Sequence, residues 1–261
     1  MTSAPERAPA QPHRGVVVAA VLLVVVVIGT GAVQLFSQVA RGTVESSRVL
    51  RPLAERLTVD SAIGDVTVVP STDGQVHVHT VVRHGLGQPV LVQESTPSGV
   101  RLDVDCNEML PSHCDVTSTV ELPPAFELVV NGTAGDVTAR GLTGPIRVDR
   151  EGGDIALFDT TGPVDVTTTW GEITARGMRS DTVRAESRTG DVRLELLDPP
   201  QTVQVNAQAG EVDVEVPAEA DYRVSVWTRW GEESVGVPVD PASPRMITVD
   251  GDSGDIRLHT R

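Results

Sequence analysis

Beyond about residue 60 the chain alternates between apolar and polar positions. Val137/Ala139, Ile146/Val148, Ile155/Leu157, Val164/Val166 and Ile173/Ala175 each place apolar side chains two apart, with Thr, Arg, Asp or Ala between them. The same pattern runs on to Ile247/Val249 and Ile256/Leu258. A period of two is that of a strand with one buried face, and this region lacks the 3–4 spacing of an amphipathic helix. The β-branched excess points the same way. The pattern predicts an all-β domain of short strands.

A longer period lies over the first. Glycines 135, 144, 153, 162 and 171 stand nine residues apart, and alternate members are followed by Asp or Glu. The Gly-acid unit continues at Gly190, Gly210, Gly231 and Gly254, and Gly64-Asp65-Val66 is an upstream copy. Nine residues hold one short strand and one corner, so two units make a coil. Coils stacked as parallel β at about 4.8 Å would superpose their valines into an inner ladder. The expected fold is a single-stranded β-solenoid, parallel β-helix-like. A sandwich of antiparallel hairpins would suit the strand spacing too, but hairpins have no reason to repeat one corner at every second strand.

The N-terminal region differs in kind. Gly15 to Phe36 is 22 residues without a charge, about 33 Å as a helix, enough to cross a hydrocarbon core of about 30 Å. The alternative is a cleaved signal peptide, but the apolar run is long for one and no clear small-residue cleavage site follows it. The domain plan is a disordered cytoplasmic tail at 1–14, a transmembrane helix at 15–36, a linker at 37–53 and an extracytoplasmic solenoid at 54–261. Orientation is contested. Arg41, Arg48, Arg51 and Arg56 follow the helix while only Arg7 and Arg14 precede it, which favours a cytoplasmic C-terminal side. Long domains translocate largely regardless of flanking charge, and the cysteine pair suits export. The expected location is the cell membrane, single-pass, with the bulk outside.

Composition narrows the function. The formal charge is −15 and every basic residue is Arg, so a polyphosphate partner is repelled and lysine chemistry is excluded. No Gly-x-Ser-x-Gly, His-Glu-x-x-His or Gly-x-Gly-x-x-Gly motif occurs, and no cofactor is implied. Cys106 and Cys114 read as a disulfide, with free thiols or a metal site including His113 as alternatives. The acids of the Gly-acid corners, from Asp65 to Asp255, would form a column that either binds calcium or stays solvated among arginines. His77 and His79 share one strand face, a metal-pair spacing without tied further ligands. Trp170 and Trp230 fall at equivalent repeat positions, three coils or about 14 Å apart by simple stacking. With Trp227 and Arg229 they form a candidate patch for a protein partner or glycan; packing over a corner is the alternative.

Recurrent Gly-Asp-Ile/Val units behind one apolar helix resemble the putative adhesin family of bacterial envelope proteins. The resemblance covers residues 54–261, including Ser118-Thr119-Val120-Glu121-Leu122-Pro123, Val214-Glu215-Val216-Pro217 and Gly254-Asp255-Ile256. Trp-Gly-Glu at 170–172 and 230–232 departs from it, since a small residue before Gly and Asp after it are usual. The resemblance implies a β-solenoid and supplies no catalytic residues. The expected function is a non-enzymatic, membrane-anchored envelope protein presenting a surface for adhesion, scaffolding or partner binding. The alternative is a β-helix enzyme acting on cell-wall polysaccharide, which needs converging carboxylates and aromatic subsites.

Overall fold

The Gly-acid corners form one continuous column. Gly135 packs on Gly64, Gly153 on Gly135 and Gly171 on Gly153, and the column continues through Gly190, Gly210, Gly254 and Gly231. A Cβ on Gly153 would lie 2.1 Å from the Gly135 carbonyl oxygen, and its φ of 117° is one L side chains rarely adopt. Only a bare Cα lets successive corners approach to strand spacing. The acid after the glycine completes the corner. Asp65, Asp136 and Asp154 each accept, through Oδ1, the backbone N–H of the acid one rung on, at 2.8–2.9 Å.

The computed structural model describes residues 42–85, 89–106 and 114–261. The expected tail at 1–14 and helix at 15–36 lie outside these. Among the described residues no helix is long and apolar enough to cross a membrane. The chain opens with β1 (Gly42–Leu50), β2 (Arg56–Ser61), β3 (Asp65–Pro70), β4 (Val76–His84), β5 (Val90–Thr96), β6 (Gly99–Asp105) and β7 (Asp115–Leu122). Successive two-strand coils follow: β8 (Glu127–Ala134) with β9 (Val137–Arg140), β10 (Ile146–Gly152) with β11 (Ile155–Phe158), and β12 (Val164–Trp170) with β13 (Ile173–Met178). Next come β14 (Thr182–Thr189) with β15 (Val192–Leu196) and β16 (Thr202–Ala209) with β17 (Val212–Val216). The last strands are β18 (Arg223–Trp230), β19 (Glu233–Gly236), β20 (Met246–Ser253) and β21 (Ile256–Thr260).

Even-numbered strands from β8 to β20 lie in a 10-stranded sheet and odd-numbered strands from β9 to β21 in an 11-stranded one. From β8 onward every strand pairing is parallel. The two sheets enclose one core, in which Val and Ile repeat at the same register. One inner ladder reads Val66, Val137, Ile155, Ile173, Val192, Val212, Ile256, each at most 2% exposed.

Three features depart from simple stacking. First, residues 42–50, expected within a linker, form β1, which pairs antiparallel with β4. Its Val44 and Val49 are exposed and not two apart, so a backbone ladder rather than an apolar stripe holds it. Second, β4 also runs antiparallel to β7, and β5 to β6, so the solenoid ends in antiparallel hairpin-like additions rather than another coil. Third, coils are threaded out of order at both ends. The β2–β3 coil lies between β6–β7 and β8–β9, and the β20–β21 coil between β16–β17 and β18–β19.

The apolar ladder stops in polar groups at both ends. Beyond Val66 come Ser118 and then Thr80, joined through hydroxyls at 3.2 Å; Gln93 reaches Thr80 at 3.1 Å and receives Ser46 at 3.0 Å. At the far end the position of Val212 and Ile256 is taken by Glu233, whose carboxylate accepts the N–H of Thr228 at 2.8 Å. An inward carboxylate on the terminal rung both satisfies an edge amide and penalises the stacking of another chain.

Gly153→Ala should lower the unfolding free energy by about 3 kcal/mol or more, through backbone strain plus a rung-to-rung clash. Gly74 also has positive φ, 74°, but no atom lies within 4 Å of an added methyl. Gly74→Ala should therefore cost only about 1–2 kcal/mol in urea unfolding; equal losses would show that rung contact is not the constraint. Glu233→Val extends the apolar ladder to an open edge, so sedimentation velocity should show more self-association than in the unmodified chain. Unchanged sedimentation would remove the edge-guarding role.

Candidate ligand-binding face

Among the described residues the exposed tryptophans lie on strands of the 10-stranded sheet: Trp227 at an outward-alternating position of β18, and Trp170 and Trp230 at the last positions of β12 and β18, just before the corner glycines. From Gly135 onward the residue before each Gly-acid corner glycine ends a strand of this sheet, and its carbonyl accepts an N–H from the neighbouring rung. Gly153 donates to the Trp170 carbonyl and Gly254 to the Trp230 carbonyl, both at 2.9 Å. The backbone under each indole is thus pinned while the side chain projects outward. Trp170 is 60% exposed and Trp230 72%.

Both tryptophans lie in one register row. From Trp170 it passes Thr189, Ala209 and Ser253 before reaching Trp230. Because the β20–β21 coil is inserted before the last rung, the separation is four rungs, about 19 Å, not the three expected from sequence order. Small side chains between two indoles leave a shallow trough along the solenoid axis. A depression beside it is lined by Thr167, Thr169, Glu186, Arg188, Asn206 and Gln208. Three positions back along the strands, the row Thr167, Glu186, Asn206 and Asp250 ends in Trp227, which is half exposed. Arg229 sits 6.0 Å from the Trp227 ring centroid and pairs with Asp252 at 3.1 Å. The structure therefore gathers Trp227, Arg229 and Trp230 on β18 and sets Trp170 at the far end of the same trough. None of the three indoles is packed into the core.

The remaining candidates have local partners. Asp191 and Asp255 repeat the amide-capping contact, at 2.9 and 3.0 Å, whereas the longer Glu172 turns aside to Arg193 and Thr174. The Thr174 hydroxyl and the Arg193 guanidinium hold the Glu172 carboxyl below the usual carboxylate range. Asp73 is lowered to about 2, chiefly by the Gln75 amide and then by His77 and Ser71. His77 contacts Asp73 at 2.8 Å, and His79 contacts Ser47 at 2.9 Å. Among the described residues no group of His, Cys, Asp and Glu could hold a metal ion. Cys106 and Cys114 form a disulfide with a Cα separation of 6.3 Å, beside Val82, Val104 and Val116.

One buried residue escaped the sequence reading. Arg150 is 1% exposed and points into the core from β10. Its guanidinium donates to the carbonyls of Ser61 and Ala134 at 3.3 Å and of Gly64 at 3.0 Å. A Cβ on Gly132 would lie 2.3 Å from Arg150 Nη1, so that glycine makes the space. Burial lowers the guanidinium's pKa, opposed by the nearby Asp65 and Asp136. The signal was present: Arg150 is the third member of the alternating set Ile146, Val148, Arg150. It ties the inserted β2–β3 coil to its neighbours and lies away from the outer face.

The model of the Toastrack DUF4097 family matches residues 54–259. The chain belongs to that family. No curated protein matches it. Among solved structures, a putative adhesin from Bacteroides fragilis is similar at 14% identity and a TM-score of 0.53, over 82% of this chain and 97% of that one. A putative cell adhesion protein from Clostridium sporogenes aligns at 10% identity and a TM-score of 0.37, over 84% and 100%. A putative lipid binding protein from Parabacteroides distasonis aligns at 10% identity and 0.38, over 81% and 96%. The first likeness concerns the fold alone. It agrees with the adhesin-like resemblance of the Gly-Asp repeats.

His259 gives this Toastrack domain a pH-sensitive contact between rungs. Burial disfavours its charged form, but Nδ1 faces the Thr260 carbonyl and Nε2 meets Asp213 at 2.8 Å. Those acceptors prevail and raise the pKa above 6.5. The stabilisation is complete below the unfolded pKa and is lost as pH rises through the folded one. The side chains are 43% and 40% exposed, so the contact is worth less than about 1 kcal/mol. The stability gap between the unmodified chain and His259→Gln should be larger at about pH 5.5 than at about pH 8.5; a gap independent of pH would refute it.

Proposed function

We propose that the chain is a non-enzymatic, membrane-anchored envelope protein that uses the Gly15–Phe36 segment to hold its solenoid outside the cell. The outer face of the 10-stranded sheet is its contact surface. The observation that carries this is the trough bounded by Trp170 and Trp230, whose indoles stay in water although the domain has a core to bury them. Large exposed aromatics on a rigid polar sheet are favoured where a ligand will cover them. The name of one structural relative, a putative adhesin, is in keeping with this reading.

The full chain in detergent micelles, immobilised through its N-terminus, should retain isolated envelope fragments from its own host. The Trp170→Ser/Trp230→Ser variant should retain at least tenfold less while its thermal unfolding stays unchanged. Equal retention by a folded double variant would sink the contact surface, and release of new reducing sugar ends during incubation would turn the reading to an enzyme.

A further inference from the structure

The geometry points to the ligand class: we infer that the Trp170–Trp230 trough takes an extended, uncharged polysaccharide lying along the solenoid axis. This rests on the contact surface proposed above and specifies its occupant. Three properties of the face select a sugar chain. The first is the pair of indoles at the ends of one row, with Thr189, Ala209 and Ser253 low between them. An indole face packs against the C–H face of a pyranose ring, and nothing in the intervening row obstructs a chain running from one indole to the other. The second is the hydrogen-bonding wall at the side. Arg188, Asn206 and Gln208 are exposed and Glu186 is half-buried, supplying donors and acceptors for ring hydroxyls and amides.

The third property is dimensional. The rungs repeat at about 4.8 Å, close to the advance of one sugar unit in an extended β-linked chain, so four rungs accommodate about five units. A polymer with that repeat brings a sugar unit to each successive rung, alternate units being turned over, and a folded protein partner has no such regular spacing. Charge then selects within the class. The chain carries −15, and Glu186, Asp250 and Asp252 lie on or beside the trough. A polyanion such as a phosphate-linked wall polymer is repelled; a neutral or N-acetylated glycan is not.

The test uses the chain's own reporters. All three of its tryptophans, Trp170, Trp227 and Trp230, are half or more exposed on β12 and β18, so tryptophan emission, excited apart from the buried Tyr222, reports on the trough and its surroundings. Titrating the full chain in detergent with the N-acetylglucosamine hexamer should quench or blue-shift that emission saturably. The monosaccharide, which reaches one indole only, should bind at least tenfold more weakly. Trp170→Ser should weaken hexamer binding about tenfold while leaving Trp227 and Trp230 to report it, a loss of about 1.4 kcal/mol. Gln208→Ala should weaken it a few-fold without touching an indole. No emission change with the hexamer overturns the inference. So does Trp-dependent retention of envelope fragments that survives complete muramidase digestion of their glycan; the trough then takes a protein, and the contact surface stands. Loss of both retention and quenching in the unmodified chain removes the surface and the inference together.

Discussion

The whole architecture depends on how closely two corners can approach. A parallel stack requires each turn of the coil to sit one strand spacing from the next, and at the tightest corner only backbone can meet backbone. The Gly135 carbonyl lies where a Cβ on Gly153 would be, and the same holds at each later step of the column. Since the corner glycines fix both height and register, the strands on either side are placed without further choice. Identical inner positions then superpose, which is why valines and isoleucines fill the core so uniformly. Asp at the next position adds a directional bond: its carboxylate oxygen captures an amide of the adjacent rung. Where Glu replaces Asp the extra methylene carries the carboxylate past that amide toward Arg193 or Arg257.

A stack built this way has no intrinsic end. Each rung offers the same edge to the next, so termination needs separate devices. This chain uses polar substitutions in the inner ladder, Ser118 and Thr80 with Gln93 at one end and Glu233 at the other. It also inserts a coil behind the last one at both ends. Threading holds the terminal coil through its covalent links as well as its strand pairing. Arg150 belongs to the same logic. A buried guanidinium is a poor source of net stability, yet it satisfies two carbonyls at the inserted β2–β3 corner and one, of Ala134, on the neighbouring coil, which Val or Thr could not reach.

These distinctions explain what the sequence discloses. The alternating valines and the nine-residue glycines report the strands, the corners and the parallel coils from Val137 onward, because each is a local consequence of one repeated geometry. The disulfide was legible from the cysteine pair. Coil order was not: Leu258 and Val235 carry the same alternation, and nothing local says which should lie against Val214. Nor was β1, since Val44 and Val49 break the period of two and its pairing is made by backbone. On the candidate face the four residue identities were legible, but their spacing required coil order and their exposure required the fold.

The trough shows how the two halves of the design meet. Trp170 and Trp230 stand immediately before corner glycines, and their carbonyls are bonded to the glycine amides of the neighbouring rungs. Their main chains are therefore fixed by the most constrained element of the fold, while their side chains contribute nothing to it and are free to be chosen for a ligand. Preorganisation of this kind lowers the entropy that association must overcome. It also couples ligand length to topology. With coils in sequence order the indoles would stand three rungs apart; insertion of β20–β21 makes it four, so the device that closes the end of the stack also sets the span of the surface.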